Sequence, residues 1–429
     1  MKSAILLSVL LLAASCTTAP GPEAPKADTE ERGWISEFPP TTSLSSTDFD
    51  PIREAVGSRP IVMMGESIYL TSEFSRVRDM LIRNLHEYAD FNLLLFEGSP
   101  IEFWIAEEEY LNSRKDVLSG SDFQKTALSG LWQTEEIRSA IDYALRSQTG
   151  VGSSDLYLSS YDVQMGEGRR FVRDRSVFES LVGLLKKRYK RFSRADEEAI
   201  LALEGLVSCK RKGFPDSDEQ YSQAEEGIRM LSQVVARSTK NDNSDLHERV
   251  LALLPKVAGY SLEFCREVKN SDRNYTEVRD EWASRQFADL FSALNEKTLV
   301  WAHSTHVRQS SAKAGPMSFG AYARSAFPEE TFAIHFTGGS GQSVAVTDAR
   351  GNAIESIETV LLSLDKVSLE EKLSGLSTKD FFVVSKNFPA RFKSEETTRR
   401  EPNRFIVIDP RSDFDAYYFV REITVPHMR

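Results

Sequence analysis

The sequence predicts an α/β protein with a mostly parallel central sheet, flanking helices and a helical insertion. Segments 61–66 and 92–97 are short apolar runs of strand length, and the residues between them carry apolar side chains at helical spacing. Such a strand–helix–strand unit implies parallel strands joined by a right-handed crossover. Residues 168–296 differ, because they carry long, charged, amphipathic patterns with almost no strand signal. They predict a helical insertion that packs on the sheet.

Further elements follow along the chain. Helical patterns fill 101–112 and 134–147. Additional strands are predicted at 155–162, 297–303 and 331–337, and further apolar runs lie at 381–385, 404–409 and 414–420. The glycine-rich stretch after 337 predicts two turns, and it opens no helical pattern, so a nucleotide-binding loop is not expected there.

The composition limits the classes of partner. The chain has 429 residues, which suffices for one large domain or two ordinary ones. It is 41% hydrophobic and 27% charged, as ordinary globular proteins are. Its net charge of −11 argues against nucleic acid as the main partner, because phosphate binding needs a net basic face. We therefore expect a small-molecule or envelope substrate, and the oligomeric state stays open.

Residues 1–16, MKSAILLSVLLLAASC, have the form of a lipoprotein signal peptide. The apolar run is too short to span a bilayer and follows a single lysine, as in secretory signals. The ending LAASC resembles the lipobox of bacterial lipoproteins, so we expect Cys16 to be lipidated; plain cleavage near Ser15 is the alternative. Because Thr17 is not the Asp that retains lipoproteins at the inner membrane, the resemblance implies a lipid-anchored protein at the outer membrane, facing the periplasm.

Residues 17–45 are predicted to be a flexible tether, since they begin TTAPGPEAPKADTEERG and hold little apolar surface. Residues 46–429 then form the α/β domain, with its insertion at about 168–296. Cys209 and Cys265 lie in helical patterns and either pair in an oxidising compartment or remain buried thiols. No zinc framework is present, and no cofactor is expected.

Polar residues close four of the predicted strands. The first three end at Glu66, Glu97 and Asp162, and the fourth ends at His303, with His306 just beyond. In open α/β sheets, ligands bind outside the carboxyl ends of the strands. One acid at such a position commonly caps a helix or pairs with an arginine. Four polar strand ends in register predict a shared site instead, with Asp162 as a substrate-binding residue.

The segment WAHSTH places His303 and His306 three residues apart. Two histidines facing acids suit general acid–base work near neutral pH. They would equally suit a divalent metal held together with Glu66 or Glu97. The spacing does not decide between these possibilities. His335 is flanked by apolar residues within a strand, and we interpret it as structural.

Several segments together resemble the erythromycin esterase family over residues 50–420. In chain order they are GESIYLTSEF, LLLFEGSP, LWQTEEIRSAIDYALRSQ, SSYDVQ, VRDEWASRQFADL, TLVWAHSTHV and FDAYYFVREIT. The resemblance implies an α/β core with helical additions. It also implies hydrolysis by activated water, since the antibiotic-resistance members cleave the macrolactone ester of erythromycin. Arg279 and Asp280 match a charged pair of the family, which we interpret as a structural ion pair.

One motif departs from the family pattern G-E-x-x-H-G. The family histidine, proposed to activate water, corresponds here to Tyr69, and the glycine after it to Leu70. A tyrosine hydroxyl has an ordinary pKa of about 10, so it is a poor base, but it can donate a hydrogen bond to a carbonyl or oxyanion. Leu70 adds bulk where bare backbone would otherwise approach a ligand. The other matched polar positions are retained: Glu66, Glu97, His303 and His306.

Three functions remain open from the sequence. The first is an envelope-anchored hydrolase of an ester or related acyl substrate, with His303 or His306 as base, Glu66 and Glu97 as orienting groups and Tyr69 polarising the carbonyl. The second is an envelope binding or scaffold protein that has lost catalysis. The third is a metal-dependent hydrolase with ligands among the same acids and His303. An envelope location fits macrolide resistance poorly, because the drug acts inside the cell.

Overall fold

The computed structural model describes most of the chain after the predicted tether. The described ranges are 34–113, 119–148, 154–166, 176–189, 191–207, 217–237, 245–310, 317–348, 354–365, 367–402 and 404–427. The lipobox, Cys16 and Cys209 lie outside them. Cys265 takes part in a disulfide bond.

Strands fall into one large sheet and one hairpin. In chain order the strands are β1 (Ile35–Glu37), β2 (Ile61–Glu66), β3 (Phe91–Phe96), β4 (Tyr157–Ser160), β5 (Lys297–His303), β6 (Thr331–Asp348), β7 (Ile354–Leu362), β8 (Phe381–Val384), β9 (Glu396–Glu401), β10 (Arg404–Ile408) and β11 (Ala416–Ile423). Within the described residues the large sheet has nine strands in the order β1-β8-β11-β6-β2-β5-β3-β4, with β7 paired to β6. From β11 to β4 all neighbours run parallel, whereas β1, β7 and β8 pair antiparallel. The predicted α/β fold with a mostly parallel sheet is confirmed.

The central strand β2 shows why this sheet is buried on both faces. All six of its residues are buried. Met63 packs into one apolar cluster, while Val62 and Met64 pack into another. Because successive side chains of a strand point to opposite faces, each face of the sheet is covered by its own apolar layer. A near-continuous apolar sequence such as IVMM is typical of this position.

Helices cover the sheet and build the insertion. Before the insertion they are Asp50–Val56, Ser72–Ala89, Pro100–Asn112, Gly120–Ala127 and Glu135–Arg146. In the insertion they are Val177–Arg188, Arg194–Leu201, Asp218–Ala236, Leu246–Asn270 and Tyr275–Leu294, and after it Ser304–Val307, Phe319–Ala326 and Leu369–Ser374. In each of the five insertion helices a Ser, Asp or Asn side chain accepts a hydrogen bond from a backbone N–H of the first turn, as capping residues do. No helix among the described residues has the length and apolarity needed to cross a membrane.

The glycine-rich stretch 338–341 does not form the predicted turn, because β6 continues through it to Asp348. These glycines allow β11 to approach closely. A Cβ at Gly338 would lie 2.8 Å from Ile423 Cγ2, and one at Gly339 would lie 2.7 Å from the carbonyl oxygen of Arg421. Glycine in a strand interior commonly marks such close backbone approach, as it does here.

The predicted tether also ends earlier than expected. Ile35–Glu37 form the edge strand β1, which pairs with β8 through Ile35 and Val383. Phe38 follows and is buried. Apolar residues at this end of the segment supply buried surface, so the sheet begins at residue 35.

Candidate active site

The sequence-predicted site residues lie at the carboxyl edge of the parallel strands. Glu66 is the last residue of β2 and His303 the last of β5, and the two are paired in register. Glu97 comes one residue after β3, and Asp162 comes two residues after β4. The structure therefore brings the four strand ends to one side of the sheet.

Local packing fixes the end of β5. A short helix, Ser304–Val307, begins directly after His303 and lies against Gly65. A Cβ at residue 65 would lie 2.8 Å from Ser304 Cα, so only glycine permits this packing. Ser304 Oγ contacts His335 Nδ1 at 2.6 Å, and His335 is buried. His335 thus holds the short helix in place, in keeping with a structural role.

Glu66 is paired with a buried arginine that sequence reasoning missed. Arg78, from helix Ser72–Ala89, is fully buried and binds Glu66 through Nη2. Its guanidinium lies 4.2 Å from the ring centroid of Trp301, and its Nε donates to the carbonyl of Phe74 at 3.2 Å. Burial raises the pKa of Glu66 to about 7, although Arg78 acts in the opposite direction. The overlooked signal was a charged residue four positions after Phe74 on the apolar stripe of an amphipathic helix.

Glu97 contacts several of the other site residues. Its Oε2 accepts from the Tyr69 hydroxyl at 3.1 Å and from the backbone N–H of His303 at 3.4 Å. Its Oε1 accepts from Arg279 Nη2 at 2.7 Å and lies 3.4 Å from His306 Nε2. Burial opposes ionisation of Glu97, but His306 and Arg279 outweigh it and lower its pKa to about 2. The carboxylate is therefore ionised and orients its neighbours, and it is too weak a base to take a proton from water.

Arg279 links two of the strand ends. Its Nε lies 2.9 Å from Asp162 Oδ2 and 3.1 Å from Asp162 Oδ1, while Nη2 reaches Glu97. Burial works against its charge, but Asp162 and Glu97 keep its pKa well above the ordinary value. Because Arg279 occupies both carboxylate oxygens, Asp162 acts on the site through Arg279. The substrate-binding role of Asp162 stays a prediction.

Asp280 binds a different partner from Arg279. Its Oδ1 lies 2.7 Å from His306 Nδ1, and both side chains are buried. Adjacent helical residues do not face each other, which explains why the expected ion pair between residues 279 and 280 gives way to two separate contacts. Since a carboxylate only accepts, Nδ1 of His306 carries a proton and Nε2 faces the site.

His306 is the proton carrier that the geometry favours. Its Nε2 lies 3.4 Å from both Glu97 Oε1 and Arg279 Nη1, which leaves it only weakly engaged. Burial lowers the pKa of the ring, but Asp280 and Glu97 outweigh burial and raise the pKa above the ordinary value of about 6.5. A histidine oriented by a carboxylate through Nδ1, with Nε2 toward the reactants, is the arrangement that general acid–base catalysis uses.

His303 has both ring nitrogens committed to the protein. Its Nδ1 accepts from the backbone N–H of Thr305 at 3.2 Å, so Nε2 carries the proton and donates to the carbonyl of Arg400 at 3.0 Å. Burial and the nearby His306 lower the pKa of His303 to about 4. The ring is therefore neutral and fixed. Of the two histidines that the sequence left open as the base, the structure favours His306.

Tyr69 lies beside His303, with ring centroids 4.6 Å apart, and packs edge-on against Trp132 at 5.5 Å. Burial, reinforced by Glu97, raises its pKa well above 10. The hydroxyl therefore stays protonated and serves as a hydrogen-bond donor. The next residue, Leu70, has a φ of 58°, in the left-handed region that favours glycine.

The donor arrangement does not favour the metal-dependent alternative. Within the described ranges, no three His, Cys, Asp or Glu side chains are grouped so that they could hold a metal ion. The ligands proposed from the sequence are engaged elsewhere, since Glu66 binds Arg78 and His303 uses both nitrogens. The set is better suited to proton transfer and hydrogen bonding at a water-derived nucleophile.

Comparison with known proteins supports one family. The family model described as erythromycin esterase matches residues 86–424, more than half of the chain. The putative hydrolase YbfO of Bacillus subtilis (strain 168) is 24% identical over 375 residues, which cover 80% of this chain and 78% of YbfO. The model match begins after the motif at 65–70, so it leaves the correspondence of Tyr69 to the family histidine as an expectation.

Solved structures share the fold. A crystal structure of a Bacillus cereus protein superposes with a TM-score of 0.72 at 15% identity, covering 93% of this chain and 97% of that one. A histidine-to-asparagine mutant of the erythromycin esterase EreC, in its open conformation, superposes with a TM-score of 0.65 at 19% identity, covering 90% and 96%. Because the family model matches more than half of its residues, the chain belongs to the erythromycin esterase family of hydrolases.

Proposed function

We propose that the protein is an envelope-anchored hydrolase that cleaves an ester or related acyl substrate with activated water. The observation that carries the proposal is the contact between Asp280 and His306. It orients the imidazole so that Nε2, the ring nitrogen without a short hydrogen bond, faces Glu97 and the Tyr69 hydroxyl bound to it. This places a proton acceptor beside a hydrogen-bond donor at the strand ends, where α/β proteins bind ligands.

The proposed reaction uses His306 first as a base and then as an acid. Nε2 takes a proton from water as the water oxygen bonds to the acyl carbon. The carbonyl oxygen becomes an oxyanion, which the Tyr69 hydroxyl stabilises by turning from Glu97. When the intermediate collapses, the ester C–O bond breaks and His306 returns the proton to the leaving alkoxide. Asp280 stabilises the imidazolium formed between these steps.

Other residues of the site act as positioning groups in this proposal. Glu97 holds the Tyr69 hydroxyl, Arg279 and the backbone of His303 in one arrangement. Glu66 acts with Arg78, and this buried pair supports the end of β2 from which residue 69 follows. Neither carboxylate needs to transfer a proton to the substrate.

The envelope location rests on the sequence of residues 1–16. We propose that Cys16 carries a lipid and holds the domain at the outer membrane, so that the substrate is an envelope metabolite or polymer. Mass spectrometry of protein extracted from membranes should find acylation at Cys16. A soluble mature chain that begins at another residue would rule out this anchoring.

A second candidate is a binding or scaffold protein that kept the fold without catalysis. The observation in its favour is that both ring nitrogens of His303 are bound by the protein, so this ring is fixed; the resemblance also aligns Tyr69 with the histidine of the family pattern. In this case the site would bind a ligand through the same donors and acceptors, with no proton transfer.

Hydrolysis of activated esters by wild type, His306→Asn and His427→Asn separates the two candidates. We expect weak wild-type turnover, a fall of about 10²–10⁴-fold in His306→Asn, and no change in His427→Asn, because residue 427 lies on the surface and binds Glu136. Equal silence of all three proteins across a broad ester panel would favour the binding protein. Turnover that appears only with added divalent metal would favour the metal-dependent alternative.

A further inference from the structure

The hairpin of β9 and β10 lies against the candidate site. The carbonyl of Arg400, in β9, accepts from His303 Nε2 at 3.0 Å. Two residues earlier, Thr398 Oγ1 lies 3.4 Å from His335 Nε2 and donates to Glu370 at 2.6 Å. Strand β9 therefore contacts the carboxyl end of β5 and also β6 at His335.

Arg400 occupies a bulge in this hairpin. Phe405 pairs with Arg399 and Arg404 pairs with Glu401, so Arg400 has no partner in the ladder. A bulge leaves the extra residue unpaired and commonly redirects its side chain, often next to an active site. Here it also frees the carbonyl of Arg400 from the ladder, which allows the contact with His303.

The guanidinium of Arg400 differs from the other arginines of the site. Arg78 binds Glu66, and Arg279 binds Glu97 and Asp162. Over the part of the chain that the structure describes, the side chain of Arg400 has no hydrogen bond or ion pair. It is half-buried, and its Nε is fully buried without a partner.

A buried N–H without a partner is costly, because burial removes water that nothing replaces, and Nε of Arg400 is such a group. The charge of Arg400 reaches the site, since it acts to lower the pKa of His303, whereas the hydrogen bond to the Arg400 carbonyl acts to raise that pKa. An arginine without an ion-pair partner beside the candidate site can bind an anion, and its planar guanidinium donates to two oxygens of a carboxylate or phosphate at once.

We propose that Arg400 binds an anionic oxygen group of the substrate, a carboxylate or a phosphate, beside the bond that is cleaved. The proposal rests on the hydrolase function and deepens it by giving the substrate class: an acyl compound that carries a negative charge near the scissile bond. The anion would bind to the part of the guanidinium that is not buried, close to His303, whose Nε2 donates to the Arg400 carbonyl.

Direct binding tests the anion site without relying on turnover. Isothermal titration measures glutarate and inorganic phosphate binding to the wild-type chain, Arg400→Gln and Arg404→Gln. The control arginine sits on the same hairpin, is 72% exposed and binds Glu401. We expect Arg400→Gln to weaken binding of the preferred ion about 10- to 100-fold, as loss of a charge-assisted hydrogen bond does, and Arg404→Gln to bind like wild type.

The ion that binds more tightly shows whether the site prefers a carboxylate or a phosphate. Arg400→Lys keeps the charge but loses the planar, two-pronged guanidinium. Its affinity for the preferred ion should therefore lie between those of wild type and Arg400→Gln. The proposal is overturned if neither ion binds wild type, or if Arg400→Gln binds both as well as wild type does.

Turnover then connects the anion site to catalysis. The readout is the ratio of kcat/KM for mono-4-nitrophenyl glutarate to that for 4-nitrophenyl acetate, measured within each variant. We expect this ratio to fall at least about tenfold in Arg400→Gln and to be retained in Arg404→Gln. An equal ratio in wild type and Arg400→Gln would overturn the anion proposal and leave the hydrolase proposal standing. Arg400-dependent ion binding without turnover of either ester would support the anion site and count against the hydrolase.

Discussion

Removing the charge of Asp280 should move the pH profile of hydrolysis. Asp280→Asn keeps the size of the side chain but removes its negative charge. In the wild type, Asp280 Oδ1 lies 2.7 Å from His306 Nδ1. Asp280 is the leading group that raises the pKa of His306 against burial. Without it, burial and Arg279 lower that pKa. Two unit charges about 4 Å apart interact by about 4 kcal/mol at an effective dielectric of ~20, so we expect a fall of about one to three pKa units.

The sign of the shift follows from the role of His306 as a base. A base must be unprotonated, so kcat/KM of the wild type should rise with pH through the pKa of His306, above its ordinary value of about 6.5. In Asp280→Asn this rise of kcat/KM, the acid limb of the pH profile, should move to lower pH. The maximum rate should also fall, by about 10²–10⁴-fold. The asparagine amide can donate to Nδ1, which favours the tautomer with the proton on Nε2 and removes the acceptor from the site.

The assay is the pH dependence of kcat/KM on an activated ester, with thermal melting to show that the variant is folded. Asp289→Asn is the matched control. It lies on the same helix, Tyr275–Leu294, and is partly exposed with Lys256 as its partner, so the same charge is lost away from the site. Its profile should match wild type. An acid limb that stays in place, or moves to higher pH, in Asp280→Asn would refute His306 as the base.

Three further predictions concern other residues. Tyr69→His places an imidazole next to Glu97 and should raise kcat/KM on an activated ester at least about tenfold, within the gain expected of a general base; a loss would show that the site was rebuilt around the hydroxyl. Leu70→Gly should be more stable than Leu70→Ala by about 1 kcal/mol in urea unfolding, the reverse of the usual order, because only glycine avoids the cost of a left-handed φ. Burial lowers the pKa of His247, but two buried glutamates outweigh it and raise this pKa to about 9. The charged ring should therefore contribute about 3 kcal/mol of stability, which is fully present below pH ~6.5 and is lost as the pH rises through ~9. In urea unfolding, His247→Gln should lose this pH dependence.

The strands that carry the site could be predicted from the sequence almost to the residue. Segments 61–66 and 297–303 coincide with β2 and β5, because each is an apolar run closed by a polar residue at the sheet edge. The stretch 338–341 could not be predicted in this way. Its glycines are explained by the approach of β11, which follows about 80 residues later, and local sequence carries no sign of such a contact.

The chemistry of the site was less accessible than its location. Whether His303 or His306 serves as the base depends on which hydrogen-bond partners occupy each ring, and those partners come from distant segments. Arg400, which supplies the carbonyl that fixes His303, belongs to a hairpin 97 residues away and shows no motif. Arg78, in contrast, gave a local signal as a charge on an apolar helix stripe.

Leu70 indicates what the departure from the family motif means. The resemblance aligns Leu70 with the glycine of the family pattern, and the left-handed φ of 58° at Leu70 is a conformation that suits glycine. Strain of this kind persists only where the surroundings enforce it, and here the buried Leu70 side chain offsets the cost of the turn. This turn directs the side chain of residue 69 toward Glu97, and the Tyr69 hydroxyl donates to Glu97 Oε2 at 3.1 Å. We infer that the substitution at 69 changed the proton chemistry of an intact site, which leaves proton transfer to His306.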